Sequence, residues 1–566
     1  MNKAQHPLIV TLMSLVIATF AQSAIAKEGP ENIRLVLQLT VDGLRADLLT
    51  RYADRFSDDG FLLLKRHGTV FANAHYQHAN TETIVGHSTL ATGAQPSMHG
   101  MTGNVWFDAE ANELSYNIED AAYPLIPSRK QDVTSEQVDP AQKLARTSGR
   151  SPHALLAETF ADKLSAHTGG RASIFSVSGK DRGAVALAGK AGKAFWMSTD
   201  SGDFVTSSYY YDSYPKWVVR WNEKRKAQAL AGKHWNLMND GDTYLLANQD
   251  NRAYETDLRG YGRIFPHRFG SVDDKLLYTQ IISSPYGDRL TAEFAKQMLT
   301  SEQLGIDSVA DFLSISFSGM DAVNHFFGPS SLESEDMILQ LDRTIADLLK
   351  FIASRVGLAH TLVVLSADHG MAELPEYKAE LGFNAGRLTP DVVLDAAVRF
   401  GKKAYGREDL VNFYYRPFIY LNDAALAEAD LEKHTVASAM ATALTLETGI
   451  YLAITPADVE SAPDSLLLQK IRNNIHPVRS GDIYIVQEPY WFNFDKGPVT
   501  GMHGSPWNYD THVPVIFAGS RIASQVIYRQ IQPADVAPTL AALLGMSPPA
   551  SAQGTILPEV FYGLHK

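Results

Sequence analysis

The sequence predicts an α/β fold with a largely parallel central sheet, helices on both faces and insertions that cap one edge. Short apolar runs alternate with amphipathic segments, and this order is typical of such sheets. The runs predicted as strands are 33–41, 172–177, 312–317, 362–365 and 513–518. The segments predicted as helices are 152–166, 288–299, 335–356 and 535–544. Each helix opens at a proline or an acidic residue that suits a first turn, and Asp535 is expected to cap the last one.

Composition excludes several classes of protein. The chain has 566 residues, 45% of them hydrophobic, which is enough for one large core or two moderate ones. The net charge of -13 opposes binding to nucleic acid, and no run of basic residues suits a phosphate backbone. Cysteine is absent, which excludes a thiolate nucleophile and any cysteine-based zinc site.

The first residues resemble a cleavable secretory signal. Lys3 precedes an apolar stretch at 8–20, and Ala24 and Ala26 form a small-residue cleavage pattern. We predict a signal peptide at 1–26 and a periplasmic or secreted mature chain, since the apolar stretch is short for a membrane anchor. The alternative interpretation of this stretch is a membrane anchor. With a cleaved signal peptide, we expect no stable membrane insertion of the mature chain.

The remainder, 27–566, is predicted to be one catalytic domain with two cap insertions. The segment 199–285 is rich in Tyr, Trp, Asn and Gly with weak periodicity. A polar, less regular stretch at 373–422 continues into a predicted helix at 430–448, so that the second insertion spans 373–450. No linker separates these segments from the main pattern. The sequence gives no indication of oligomeric state.

Acidic residues stand at the ends of three predicted strands. Asp42, Asp321 and Asp368 each follow an apolar run, and His325 and His369 lie close by in sequence. Ligands of open parallel sheets bind outside the carboxyl ends of the strands, so these side chains should converge in one crevice. A single aspartate of this kind is more often a helix cap or a turn former, whereas three with two histidines favour a metal centre.

The donor types indicate the metal. Carboxylates mixed with imidazoles suit Zn²⁺ better than Mg²⁺ or Ca²⁺, with manganese and iron as alternatives. Five donors exceed what one catalytic zinc ion needs, so two Zn²⁺ ions are predicted. The sequence therefore predicts a metallohydrolase.

The segment 80–93 is predicted to be a loop that enters a helix and carries the nucleophile. Thr81 and Thr83 both offer a hydroxyl near the helix N-terminus, where the helix dipole and free N–H groups favour an oxyanion and an anionic substrate. The alternative for either threonine is a simple helix cap.

Seven motifs together resemble the alkaline phosphatase superfamily, specifically the threonine-nucleophile bacterial alkaline phosphatases related to nucleotide pyrophosphatase/phosphodiesterases. The resemblance spans nearly the whole mature chain. The motifs lie at 41–45, 83–88, 103–104, 178–183, 321–325, 367–370 and 503–506.

The resemblance implies roles for individual residues. It implies one zinc held by Asp321, His325 and His503, and a second held by Asp42, Asp368 and His369. It also implies Thr83 as the nucleophile beside the second ion, to which its oxygen binds. His512 competes with His503 as the third ligand of the first ion, because a histidine at a strand start is either a ligand or a structural residue.

The resemblance also implies a substrate class. Asn104, Lys180 and Arg182 resemble the phosphate clamp of monoesterases, which meets the extra charge of a phosphate monoester dianion. Alone, Lys180 and Arg182 would instead be interpreted as a solvated surface pair. We therefore expect small-molecule phosphate monoesters as substrates and a phosphothreonine intermediate, with retention at phosphorus.

Three rival functions were weighed. A phosphodiesterase or nucleotide pyrophosphatase is the closest alternative, because its metal ligands are the same. A sulfatase needs a Ser/Cys-x-Pro-x-Arg motif, which the segment 83–87 does not match. A noncatalytic periplasmic zinc-binding protein, with the Tyr-rich residues 207–217 as its contact surface, needs no aligned hydroxyl.

Overall fold

The structure is a computed structural model that describes residues 33–108, 111–127, 137–494, 497–519 and 521–565. The predicted signal peptide at 1–26 lies outside the described residues. Within them, no helix combines the length and the apolar character needed to cross a membrane.

A nine-stranded sheet forms the centre of the described chain, which confirms the predicted fold class. From one edge to the other its strands are Gln525–Ile527, Gly68–His75, His512–Ala518, Thr361–Ser366, Leu35–Val41, Asp311–Phe317, Ile174–Ser178, Lys193–Met197 and Phe204–Val205. The run from Thr361–Ser366 to Lys193–Met197 is parallel, whereas His512–Ala518 joins it antiparallel. All five predicted strands lie in this sheet.

Alternate residues of the central strands face two different cores. Leu37 and Leu39 pack with Leu313 and Ile315 on one face, against the long helix Leu332–Arg355. Val36 and its neighbours pack on the other face against helices Phe160–His167 and Val536–Leu543. Near the carboxyl ends this second face becomes polar, since Gln38 and Thr40 pair with Ser314 and Ser316. The sheet is therefore apolar at its base and polar beneath the helix that carries Thr83.

The helices confirm the alternating pattern but shift several boundaries. The longer helices are Thr83–Thr92, Phe160–His167, Asp181–Ala188, Pro285–Ser301, Gly319–Phe327, Leu332–Arg355, Pro390–Tyr405, Lys433–Leu444, Leu466–Asn474 and Val536–Leu543. The shorter helices are Leu48–Arg51, Phe61–Arg66, Pro96–His99, Lys216–Asn222, Leu277–Ile282, Pro375–Glu380, Asp423–Glu428, Pro456–Ser461 and Asn508–Thr511.

Capping residues explain the shifted boundaries. The predicted helix 152–166 begins only at Phe160, because Thr159 and Asp162 form a capping box there. Ser331 starts the long helix at Leu332, one turn before the predicted residue 335. The prediction for Asp535 was wrong: its carboxylate accepts from the backbone N–H groups of Gln532 and Thr555 and does not cap Val536–Leu543.

Residues 386–493 form a lobe beside the central sheet. Its four-stranded sheet has the order Val411–Tyr415, Phe418–Leu421, Ile483–Gln487 and Ile450–Ile454, and it packs against helices Pro390–Tyr405 and Lys433–Leu444. The stretch 373–422 is thus more regular than its composition indicated. The predicted helix at 430–448 is Lys433–Leu444, capped by Glu432. Three two-stranded ribbons pair Val105–Asp108 with Glu113–Tyr116, His234–Trp235 with His267–Arg268, and Gly386–Leu388 with Trp491–Asn493.

The segment 199–285 is anchored by buried acids on the long helix. Asp336 accepts hydrogen bonds from Trp235 Nε1 at 2.6 Å and from the Met238 N–H at 2.8 Å. Glu335 accepts from the backbone N–H groups of Leu245 and Leu246, both at 2.8 Å. Backbone N–H groups in a weakly periodic segment need such acceptors. The assignment of 199–285 and 373–450 as caps stays a prediction.

Gly86 provides a test of this packing. A Cβ at Gly86 would lie 1.8 Å from the Asp368 carbonyl oxygen, so that Gly86→Ala must push the helix Thr83–Thr92 away from the strand end. We expect a loss of about 1–3 kcal/mol in unfolding free energy, as for overpacked cores. We also expect the catalytic activity to fall by more than the loss of folded protein explains. Denaturant unfolding and initial rates measure both quantities. Gly241→Ala, where the nearest side-chain atom is 3.8 Å away, is the control and should change neither.

Candidate active site

Two groups of metal-binding side chains meet at the carboxyl edge of the central sheet. Asp42, Asp368 and His369 form one group, and Asp321, His325 and His503 form the other. In each group the donor atoms lie within 4.8 Å of one another. Asp42 directly follows the strand Leu35–Val41, whose last residue pairs with Phe317 of the neighbouring strand. The strand register therefore brings the segments that carry Asp42, Asp321 and Asp368 to the same edge, although they are far apart in sequence.

The turn after Asp42 lets the two groups approach. Gly43 has a φ of +73°, and a Cβ there would lie 3.1 Å from Asp321 Cβ. Glycine adopts this conformation without strain and leaves space for the neighbouring turn. The Gly43 N–H also donates to Asp368 Oδ1 at 3.1 Å, which ties the turn to the other strand end.

A backbone carbonyl orients each of the three histidines. Nδ1 of His325, His369 and His503 lies 2.6, 2.7 and 2.8 Å from the carbonyl oxygens of Gly501, Gly370 and Thr81. Each Nδ1 therefore carries a proton and donates it, which aims each Nε2 at the carboxylates, where its unprotonated form can hold a metal ion. This arrangement is typical of metal-binding histidines, whose second nitrogen is fixed by an acceptor.

The buried donors fit divalent cations. Asp42, Asp321, Asp368 and His369 are completely buried. His369 Nε2 lies 3.2 Å from Asp42 Oδ1, and His503 Nε2 lies 3.6 Å from Asp321 Oδ1, yet in the described chain neither His369 Nε2 nor Asp321 Oδ1 has a hydrogen bond of acceptable geometry. Buried polar atoms normally have partners, and two carboxylate–imidazole sets match the donors that zinc prefers.

Lys180 is the cation between the two groups. Its Nζ lies 2.8 Å from Asp42 Oδ2 and also contacts Asp321. Burial opposes the charge on Lys180, but these two carboxylates raise its pKa above the usual range. Burial likewise opposes the charge on His369, and Asp368 raises the pKa of His369 to about 10. The acids thus stabilise the positive charges of Lys180 and His369, whereas burial lowers the pKa of His503 well below its usual value.

Thr83 is the first residue of a buried helix that points at this edge. Its side chain is fully buried, and Arg182 Nη2 lies 3.4 Å from its Oγ1. His87, one turn later, lies with Nδ1 2.8 Å from the Thr83 carbonyl oxygen and 3.0 Å from Asp368 Oδ2. The helix N-terminus provides free N–H groups and a positive dipole end, which favour an oxyanion at Thr83.

Asn104 and Arg182 complete the surroundings of Thr83. Asn104 Oδ1 accepts from the Ile84 N–H at 3.1 Å, so its amide donor is free to face the site. Arg182 Nη1 pairs with Asp139 Oδ2 at 2.7 Å, and although burial opposes its charge, Asp139 holds the pKa of Arg182 well above the usual range. Part of the clamp charge predicted from sequence is therefore neutralised by Asp139.

One open cavity adjoins the group formed by Asp321, His325 and His503. Its polar lining includes Asn104, Lys180, Arg182, Asp321, His325 and His503, and its apolar lining includes Val138, Ile282, Phe326, Val499 and Met502. The cavity lining thus combines cations and metal-binding side chains with apolar side chains. This arrangement accommodates an anionic group attached to a larger organic group.

The structure brings together all residues that the sequence analysis selected, with His503 rather than His512 at the first group. His512 stacks on His75 with ring centroids 4.4 Å apart, and its Nε2 faces the Ala72 carbonyl oxygen at 3.0 Å. His87 was quoted in a motif but given no role, although its i+4 spacing from Thr83 was a usable signal. Asp139 and Arg416, which also line the cavity, gave no sequence signal.

Comparison with known proteins identifies a family whose match includes both metal-binding groups. A family model described as type I phosphodiesterase / nucleotide pyrophosphatase matches residues 36–506, which include every residue of both metal-binding groups. The chain belongs to this family. The predicted membership of the alkaline phosphatase superfamily is thereby confirmed.

Similar proteins match the chain along most of its length. A Myroides odoratus protein named calcium-transporting ATPase is 32% identical, covering 97% of this chain and 98% of its own length. Alkaline phosphatase PafA of Elizabethkingia meningoseptica is 30% identical, covering 93% and 94%. The crystal structure of wild-type PafA superposes with a TM-score of 0.84 at 29% identity, covering 94% of this chain and 99% of that one.

Proposed function

We propose that this protein is an exported two-zinc alkaline phosphatase that hydrolyses phosphate monoesters through a phosphothreonine intermediate. The observation that carries the proposal is the buried hydroxyl of Thr83, which lies 3.4 Å from Arg182 on a helix whose His87 contacts Asp368 of one metal-binding group. Relatives named alkaline phosphatase support a phosphoric monoester hydrolase. The predicted leader at 1–26 supports a periplasmic or secreted location.

Charge in the cavity supports monoesters over diesters. A monoester dianion carries one more nonbridging charge than a diester, and Lys180, Arg182 and Asn104 line the cavity in which it would bind. A forked guanidinium and a primary ammonium stabilise such a dianion well, whereas the esterified oxygen of a diester gains less from them. The family description keeps a phosphodiesterase as the second candidate.

The proposed residues act in two displacements. Thr83 Oγ1 loses its proton and attacks phosphorus, the bond from phosphorus to the leaving oxygen breaks, the leaving oxygen takes up a proton, and a phosphothreonine forms. Water then attacks the same phosphorus from the vacated side and returns the threonine hydroxyl, so that the configuration at phosphorus is retained.

The remaining side chains position the phosphoryl group and the zinc ions. Arg182 and Asn104 hold nonbridging oxygens in both steps, in a buried site where charge stabilisation is strong. Asp42, Asp368 and His369 would hold one zinc ion, and Asp321, His325 and His503 the other. When bound, the zinc ions supply Lewis acidity, which lowers the pKa of hydroxyl groups and stabilises negative oxygen.

We expect the purified protein to contain two zinc ions per chain, one for each metal-binding group. Chelation should abolish phosphatase activity, and added Zn²⁺ should restore it, because the buried carboxylates and imidazoles then regain their cations. Elemental analysis and initial rates before and after chelation measure this. Full activity of protein shown to be metal-free would contradict the proposal.

Thr83→Ala should lower turnover of a phosphate monoester by about 1000-fold or more, the scale seen when a nucleophile is removed. Thr83→Ser keeps the hydroxyl and is the matched control, with most of the activity retained. Acid quench with labelled substrate should trap phosphate on the chain only when residue 83 has a hydroxyl. A noncatalytic zinc-binding protein would hydrolyse nothing in any variant.

The double variant Lys180→Ala/Arg182→Ala should lower kcat/KM for a monoester by about 100-fold or more, since each side chain donates to phosphoryl oxygens. The same change should affect a diester much less. Parallel assays with p-nitrophenyl phosphate and bis-p-nitrophenyl phosphate measure the ratio. A wild-type preference for the diester that survives the double change would favour the phosphodiesterase alternative.

A further inference from the structure

Glu82, the residue before the proposed nucleophile, is a buried carboxylate that faces the same cavity as Lys180 and Arg182. It is only 1% exposed and precedes the first helical residue, but its side chain does not cap the helix. A negative charge at this place would repel a phosphoryl dianion and is costly to bury unless it is paired. Its partners therefore matter for the site.

Arg416 of the lobe is the cation that pairs with Glu82. Its Nη1 donates to Glu82 Oε1 at 2.5 Å, and its side chain is 9% exposed. Arg416 lies at the tip of a hairpin, between the strands Val411–Tyr415 and Phe418–Leu421. Both Glu82 and Arg416 line the cavity. A residue of the lobe therefore reaches the cavity at the edge of the central sheet.

The other oxygen of Glu82 holds Asn104. Glu82 Oε2 accepts from the Asn104 backbone N–H at 2.5 Å and from Asn80 Nδ2 at 3.4 Å. Asn104 in turn accepts from the Ile84 N–H, as described above. One carboxylate thus links Arg416, the nucleophile helix and the residue that would hold a phosphoryl oxygen.

The hairpin contacts the Asn104 region a second time. Phe107, on the ribbon strand that starts at Val105, stacks on Phe413 with ring centroids 5.4 Å apart and contacts Tyr420 at 4.9 Å. The hairpin strands therefore fix the ribbon while the hairpin tip fixes Glu82. The position of Asn104 depends on both.

We propose that Arg416 is a positioning residue for phosphoryl transfer: it neutralises Glu82 and so holds Asn104 and the start of the nucleophile helix in place. This inference rests on the proposed phosphatase function. It assigns the lobe a role in the site, since the lobe provides the counterion that lets a carboxylate remain beside a dianionic substrate. The charge of Arg416 acts through Glu82, not by contact with the phosphoryl group.

The test compares Arg416→Met with the double variant Glu82→Gln/Arg416→Met, using p-nitrophenyl phosphate as substrate and inorganic phosphate as inhibitor. Arg416→Met should lower kcat/KM by about 10- to 100-fold, the usual cost of removing a supporting partner, and should weaken phosphate inhibition. The double variant should recover part of both losses, because the unpaired carboxylate is gone. Arg416→Lys keeps the charge and should retain most of the phosphate inhibition even if Arg416→Met folds poorly.

A second comparison measures whether Arg416 acts through Asn104. In an Asn104→Ala background, Arg416→Met should cost much less than in the wild type, because the residue that it positions is already missing. Wild-type enzyme assayed in parallel separates the two proposals, since a wild type without monoesterase activity refutes the function and not the Glu82–Arg416 coupling. In that case the affinity of the same variants for inorganic phosphate, measured by calorimetry, tests the coupling.

Arg479→Met is the matched control. Arg479 also ties the lobe to the central domain, donating to the carbonyl oxygens of Gly100 at 2.6 Å and Ala154 at 2.8 Å, but it does not line the cavity. Its loss should lower the thermal midpoint and change phosphate inhibition much less than Arg416→Met does, because its hydrogen bonds described above go to Gly100 and Ala154 and not to Glu82. The proposal is overturned if Arg416→Met behaves like Arg479→Met, or if the double variant is no better than Arg416→Met.

Discussion

The accumulation of buried negative charge at one edge of the sheet is the constraint on which the site depends. Asp42, Asp321 and Asp368 are completely buried and close together, so they are stable only among cations. Burial raises the pKa of Asp368, and the charge of Asp42 raises it further. Burial opposes ionisation of Asp321 too, but His325 and Lys180 outweigh it and lower its pKa. The surrounding histidines, Lys180 and Arg182 offset this negative charge.

The sheet supplies the geometry that this charge requires. Parallel strands deliver their carboxyl ends to one edge, and the register sets Val41 beside Phe317 and Thr40 beside Ser366. Asp42 follows its strand directly, Asp368 follows after one residue, and Asp321 lies in the first turn of the helix Gly319–Phe327 that comes after the third strand. Apolar side chains at the base of each strand provide the stability, while the polar face near the edge receives His87, whose Nε2 lies 2.8 Å from Ser316 Oγ. Each central strand thus stabilises the fold with its apolar first half and contributes polar groups to the site with its carboxyl end.

Much of this arrangement was predictable from sequence, because strand ends and their acids are local patterns. Asp42, Asp321 and Asp368 follow apolar runs directly, and the general behaviour of parallel sheets predicts that they meet. His503 was accessible only through a family resemblance, since it lies in an irregular loop without periodic neighbours. The capping box at Thr159 shows the limit for boundaries: a Thr-x-x-Asp pattern was present, but the upstream Pro152 suggested an earlier start.

Partners that are far apart in sequence were not predictable. Asp139 and Arg416 each neutralise a charge at the site, and neither lies in a motif or at the end of a strand predicted from sequence. Their role depends on the charged side chain that lies opposite them, and only the folded structure shows which side chain that is. The Glu82–Arg416 pair spans 334 positions and joins the segment before Thr83 to the lobe. A buried carboxylate beside an anion-binding site requires a counterion, so an acidic residue next to a nucleophile predicts that a distant cation exists even where the sequence does not identify it.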